Sequence, residues 1–149
     1  MTNLYEAAAV KSIHERLSRL SPDSQRQWGK MSAGQTAAHC AVGLEMALGD
    51  KKPPRMFLGR LLGWLAKPSA LGEKPFAKNS PTSPEFIIPG ERDLSRERER
   101  LRALIDRFAG AGPSGCTAHP HSFFGPLSPQ EWSVLMYKHL DHHLRQFGV

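Results

Sequence analysis

Cysteine is scarce in this chain: Cys40 and Cys116 are the only two among 149 residues. That excludes a disulfide-built scaffold and suits a reducing compartment. Long apolar runs are missing too, and none approaches the roughly 20 residues that cross a bilayer as a helix. The first residues, Met1 to Glu6, have neither the basic nor the apolar block of a signal peptide. The expected location is therefore cytoplasmic. Internal repeats and low-complexity segments are absent as well. With 40% hydrophobic and 23% charged residues, the composition is that of an ordinary globular protein. Residues 1–149 are expected to form a single domain.

Acidic residues are the minority, leaving a net charge of +6 and a pI of about 9.7. Such a surplus raises the question of nucleic acid. The densest charged stretch, Glu91 to Arg102, interleaves acids with arginines and reads as a solvated helix face with local ion pairs. No aromatic residues are interleaved with the basic ones there, and no finger or helix-turn-helix pattern is present. Nucleic acid is not an expected partner.

What the chain does have is helical periodicity. A first helix is expected from Tyr5 to Leu20, with Val10, Ile13, Leu17 and Leu20 on one face. A second starts at Ser32, with Gln35 three residues on in a capping-box pattern, and runs to Leu48. Its middle, Ala37 to Gly43, is rich in small residues that let a neighbour approach. A third is expected from Leu94 to Ala109, with Leu94, Leu101, Leu104, Ile105 and Phe108 inward, and a fourth opens at Ser128-Pro129-Gln130-Glu131. Between the second and third helices, Lys51 to Gly90 contains seven prolines. Within it, Met56 to Leu65 is expected to be a short buried helix rather than one lying on a membrane surface, given its few basic residues. The expected architecture is an all-α four-helix bundle with one long irregular crossover.

The fourth helix concentrates histidines: His139, His142 and His143 fall within five residues. Four residues are slightly more than one turn, so His139 and His143 share a face with Trp132, Leu135, Met136 and Phe147. That face is apolar and points to a core. Imidazoles placed there need partners, and a divalent metal serves both at once. A histidine pair four apart means little on a surface; its place on a core stripe is what makes it a candidate site.

Three protein ligands with an open position are the usual catalytic arrangement for zinc, and nickel and iron also accept neutral imidazole. His39, on the inward face of the second helix beside Gln35, Val42, Gly43 and Met46, is the best third ligand, and His14 is a weaker one. His142 is read as a surface residue or as a support behind the ligands. Cys116, His119 and His121 are read as incidental loop residues, and Cys40 as a small core residue. Asp141 and Glu45 lie off the ligand faces, so no catalytic acid or base is assigned. Metal affinity is expected to fall below about pH 6, because free imidazole titrates near 6.5.

Two segments carry a resemblance. Trp28 to His39 resembles the start of the second helix in the DinB-like superfamily, where a histidine lies one turn past a glutamine. Tyr137 to Gly148 is similar to that superfamily's final helix, with a His-x-x-x-His followed three residues later by glutamine. His119-Pro120, Phe124-Gly125 and Leu127 to Trp132 resemble elements of an uncharacterised branch. The resemblance implies a four-helix bundle holding a divalent metal through His39, His139 and His143, the trio that the helix faces also select. It further implies chemistry like that of thiol-dependent S-transferases using mycothiol, bacillithiol or glutathione, or of metal-dependent hydrolases, with a non-catalytic binding or structural role as the alternative.

Gln35 and Gln146 are expected to orient an imidazole each. Lys51 to Gly90 is expected to cover the open end of the bundle, with Phe57, Trp64 and Phe76 as candidates for an apolar substrate wall. Expected partners are a small-molecule substrate, with a low-molecular-weight thiol as a candidate. No membrane partner is expected, and a homodimer is left open.

Overall fold

The computed structural model describes Met1 to Val149 and is all-helical. Its five helices are α1 (Ala7–Arg19), α2 (Ala33–Leu48), α3 (Phe57–Leu71), α4 (Leu94–Ala111) and α5 (Pro129–Gln146). Two 3-10 turns, Pro84–Phe86 and Pro113–Gly115, complete the regular structure, and no strand is present.

Both capping boxes expected from the sequence form. Ser32 Oγ accepts from the Gln35 amide while Gln35 Oε1 accepts from the Ser32 amide, and Ser128 and Glu131 repeat the arrangement at the start of α5. These reciprocal bonds satisfy amides that a helix start leaves without intrahelical partners. They fix where α2 and α5 begin, and so which residues face inward one and two turns later.

The core lies where α2 packs along α4 and meets α5, with α1 closing against α4 and α5. Ile13 and Leu17 from α1 and Leu20 just after it are buried, as are Leu101, Leu104, Ile105 and Phe108 from α4 and Trp132, Leu135, Met136, Leu140 and Leu144 from α5. Val10 is only partly buried at the edge of this cluster. Helix α2 is buried on nearly all sides, which its small residues permit. A Cβ on Gly43 would stand 3.2 Å from His139 Nδ1 and 3.3 Å from Met136 Sδ. The missing side chain therefore sets how closely α5 approaches α2.

The segment from Met56 to Leu65 departs from expectation. It belongs to a longer helix, α3, and that helix is not buried: Phe57 is 75% exposed and Trp64 67%. Its buried residues are Gly59, Gly63 and Ala70. A Cβ on Gly59 would come within 2.6 Å of the Phe123 carbonyl oxygen, and Gly63 meets the same carbonyl more closely still. Small residues thus form the inward face and large apolar ones face water, the reverse of an ordinary core helix. Phe57 and Trp64 do not form a substrate wall around the histidines.

Candidate metal centre

Helix α2 contributes His39 and α5 contributes His139 and His143. One ring nitrogen from each lies within 4.8 Å of the others. His39 and His143 are buried, and His139 is half-buried between them. The ring centroids are 4.6 to 4.8 Å apart, and the rings meet at angles of 51° to 85°. They are edge-on or tilted to one another rather than stacked.

The hydrogen bonds assign the protons. His39 Nδ1 lies 2.9 Å from the Phe86 carbonyl oxygen, an atom that only accepts, so Nδ1 carries the hydrogen. His143 Nδ1 lies 2.9 Å from Gln146 Oε1. The Gln146 amide cannot be turned around, because its Nε2 donates to the Trp28 carbonyl at 2.7 Å. His143 therefore also carries its hydrogen on Nδ1. Both rings therefore keep their lone pair on Nε2, the tautomer that a metal ligand needs, and His39 Nε2 faces His139. His39 Nε2 and His139 Nε2 are 2.9 Å apart, so His139 donates to His39. Convergence of all three lone pairs requires the His139 proton to move from Nε2 to Nδ1.

Burial holds each of these groups in its neutral form. It is the main cause of a lowered pKa at His39, where the bond to the Phe86 carbonyl works in the opposite direction. Burial lowers His143 to about 3, helped by the neighbouring His39. His139 is pushed well below the ordinary imidazole value by burial first and then by His143 and His39. Three neutral imidazoles suit a divalent cation of the zinc, nickel or iron type. Ligands of one tetrahedral ion at about 2.0–2.1 Å stand roughly 3.3 Å apart, and the three ring nitrogens already lie within 4.8 Å of one another. The residues fit the group.

The other candidates are engaged elsewhere. His14 meets Asp106 at 2.7 Å on the far side of α1. His119 Nε2 donates to the Pro53 carbonyl. His121 Nδ1 accepts from the amides of Phe123 and Phe124, and burial lowers its pKa to about 4. Cys40 is buried and its thiol pKa is pushed up by that burial. Glu45 is held by Arg100 and Lys51, and Asp141 by Arg16 and Arg145. Neither carboxylate faces the imidazoles. His142 stands against the His143 ring at 5.0 Å, with Trp28 and Phe76 on its other sides at 5.6 and 5.8 Å. Phe76, expected as part of an apolar wall, thus reaches the flank of the site.

Gln146 bonds an imidazole directly, whereas Gln35 does not. Gln35 caps α2 and donates to the Gly90 carbonyl at 2.8 Å, tying the end of the crossover to the helix start. The partner on His39 is the Phe86 main chain instead. Phe86 also brings its ring to 5.3 Å from His39 and 5.8 Å from His139. Sequence reasoning missed both Phe86 and the Trp28 carbonyl. Each acts through its backbone oxygen, which no side-chain pattern announces. The only hint was Pro84, which favours the 3-10 turn that ends at Phe86.

The chain belongs to the family described as Protein of unknown function (DUF1569), whose model matches residues 4–148. No curated protein matches the chain, and no solved structure does.

Proposed function

From the geometry of the trio, we propose that this protein binds one divalent cation through His39, His139 and His143 and is a metal-assisted enzyme. The observation that carries the reading is the pinning of His39 and His143 by acceptors on Nδ1. A histidine kept merely as a core residue has no need of lone pairs aimed at two other imidazoles. In this reading the fold is a DinB-like four-helix bundle of α1, α2, α4 and α5, with α3 inserted in the crossover. The cation is zinc, nickel or iron.

A cation held there lowers the pKa of a thiol or a water molecule, which supplies a nucleophile near neutral pH. The leading reaction class is thiol-dependent S-transfer using a low-molecular-weight thiol, with hydrolysis as its neighbour. The chain's own part is to hold three neutral nitrogens and to line one side with Phe86, His142 and Phe76. Two free thiols, Cys40 and Cys116, fit work in the reducing cytoplasm.

A structural role is the second reading. It is favoured by one observation: Glu45 and Asp141 are both ion-paired, so neither carboxylate is free to serve the trio as acid or base. Metal analysis of the purified protein beside a His139→Ala variant tests binding. About one equivalent per chain in the parent and little in the variant is expected, and equal, negligible metal after reconstitution of both would sink the proposal. Screening thiols with electrophiles, alongside ester and amide hydrolysis, tests catalysis. Turnover that stops with chelator while the far-UV helical signal persists marks an enzyme. Unfolding on chelation with no turnover marks a structural metal.

A further inference from the structure

Six of the eight large apolar side chains exposed in this protein lie on α3: Phe57, Leu58, Leu61, Leu62, Trp64 and Leu65. At about 100° per residue, these positions form one continuous face. The opposite face, Gly59, Gly63, Ala66 and Ala70, sits against the protein, with Gly59 and Gly63 on the Phe123 main chain. The helix is therefore docked by its smallest residues, and its bulk is presented outward. A contiguous apolar face with an aromatic pair at its start and middle marks an interaction surface rather than scattered surface hydrophobics.

Charge indicates what covers it. Between Lys51 and Lys78 there are seven lysines and arginines and one acid, Glu73, a surplus equal to the net +6 of the entire chain. Elsewhere basic and acidic side chains balance. Lys51 and Lys67 meet acids outside this stretch, Glu45 and Glu131. Lys52, Arg60 and Lys74 are exposed and have no acid within ion-pair distance. Arg60 lies at the edge of the apolar face itself, one turn before Trp64. An apolar face flanked by unpaired basic residues complements a surface that is apolar beneath and anionic above. No helix here is long and apolar enough to cross a membrane, so the geometry is that of a helix lying in the interface plane.

We propose that α3 is an interfacial helix that docks this protein on an anionic lipid surface, with Phe57, Leu61, Trp64 and Leu65 entering the acyl boundary and the unpaired cations Lys52, Arg60 and Lys74 meeting the headgroups. The proposal departs from the expectation of no membrane partner, which rested on the few bases inside the helix. Each basic residue near such a surface strengthens binding about fivefold, an effect that salt screens. The proposal is independent of the metal reading.

Co-sedimentation of the full chain with vesicles tests it, comparing phosphatidylcholine alone with an equal mixture of phosphatidylcholine and phosphatidylglycerol. Binding to the mixed vesicles, weakened by added salt and accompanied by a blue shift of tryptophan emission, is expected. The double variant Leu61→Ser/Trp64→Ser should lose at least about tenfold in affinity. Both positions are exposed, so the variant should keep its fold, as far-UV circular dichroism would verify. No binding to mixed vesicles, equal binding to neutral ones, or binding indifferent to the double variant would overturn the proposal. So would a dimer in sedimentation equilibrium that the double variant dissociates, since a second copy would then be the occupant.

Discussion

Gln146 performs two tasks with one amide: its Nε2 is anchored on the Trp28 carbonyl, and its Oε1 holds the hydrogen of His143. Replacing it by alanine frees that ring to flip or to change tautomer, and cation affinity should drop by about 10- to 100-fold. Gln146→Glu keeps an acceptor in place and should retain more of the affinity. Isothermal titration of both variants, well below their melting temperatures, checks this, and equal losses in the two would contradict it. Gln35 makes a contrast. Gln35→Ala removes a cap bond and the tie to Gly90, and should lower stability by about 1 kcal/mol while leaving cation affinity within about twofold of the parent. The clustering of the three histidines was legible from the sequence because residue type and helical spacing are properties of side chains. Phe86 and Trp28 were not legible, because the oxygens they offer are those of the main chain and depend on where the crossover happens to lie.

Among the elements, the closeness of α2 and α5 decides whether three imidazoles meet. Gly43 sets it, since a methyl there would press on His139 and Met136 at 3.2 and 3.3 Å and anything larger would force them apart. Gly43→Val should push α5 outward and separate His39 from His139, lowering cation affinity by at least about tenfold while most helical signal survives. Overpacking of this kind costs about 1–3 kcal/mol. A valine variant that binds as tightly as the parent would show that α5 is not positioned by that contact. Helix α3 teaches a different lesson about reading elements from sequence. Its apolarity was visible, but apolarity says only that a face avoids water, not what it meets. The docked face, built on the small residues Gly59, Gly63 and Ala70, became visible only in the structure, which leaves the large residues facing outward.

At the scale of the whole molecule, the buried histidines make stability depend on pH. The folded pKa values are lowered, to about 4 at His121 and about 3 at His143. The unfolded chain takes up these protons from about pH 6.5 downward. Between those limits the unfolded state binds more protons, so stability is complete above about pH 6.5 and declines as the pH falls. His121 by itself should cost about 3 kcal/mol by pH 4. Urea midpoints measured on metal-free protein from pH 7 to pH 4 should fall steadily. A flat profile would show that these rings are protonated in the fold at little cost. The same lowering changes the expectation that cation binding fails below about pH 6. The folded site resists protonation to lower pH, and loss of binding should follow acid unfolding instead. At neutral pH, a cation at 100 times its Kd should stabilise the protein by about 2.7 kcal/mol.

Anomalous diffraction from crystals grown with zinc or nickel, recorded on both sides of the metal absorption edge, tests the central claim most directly. One strong anomalous peak is expected between α2 and α5, about 2.0–2.1 Å from Nε2 of each of His39, His139 and His143. A peak at any other position, or no peak with His139 still hydrogen-bonded to His39, would contradict it.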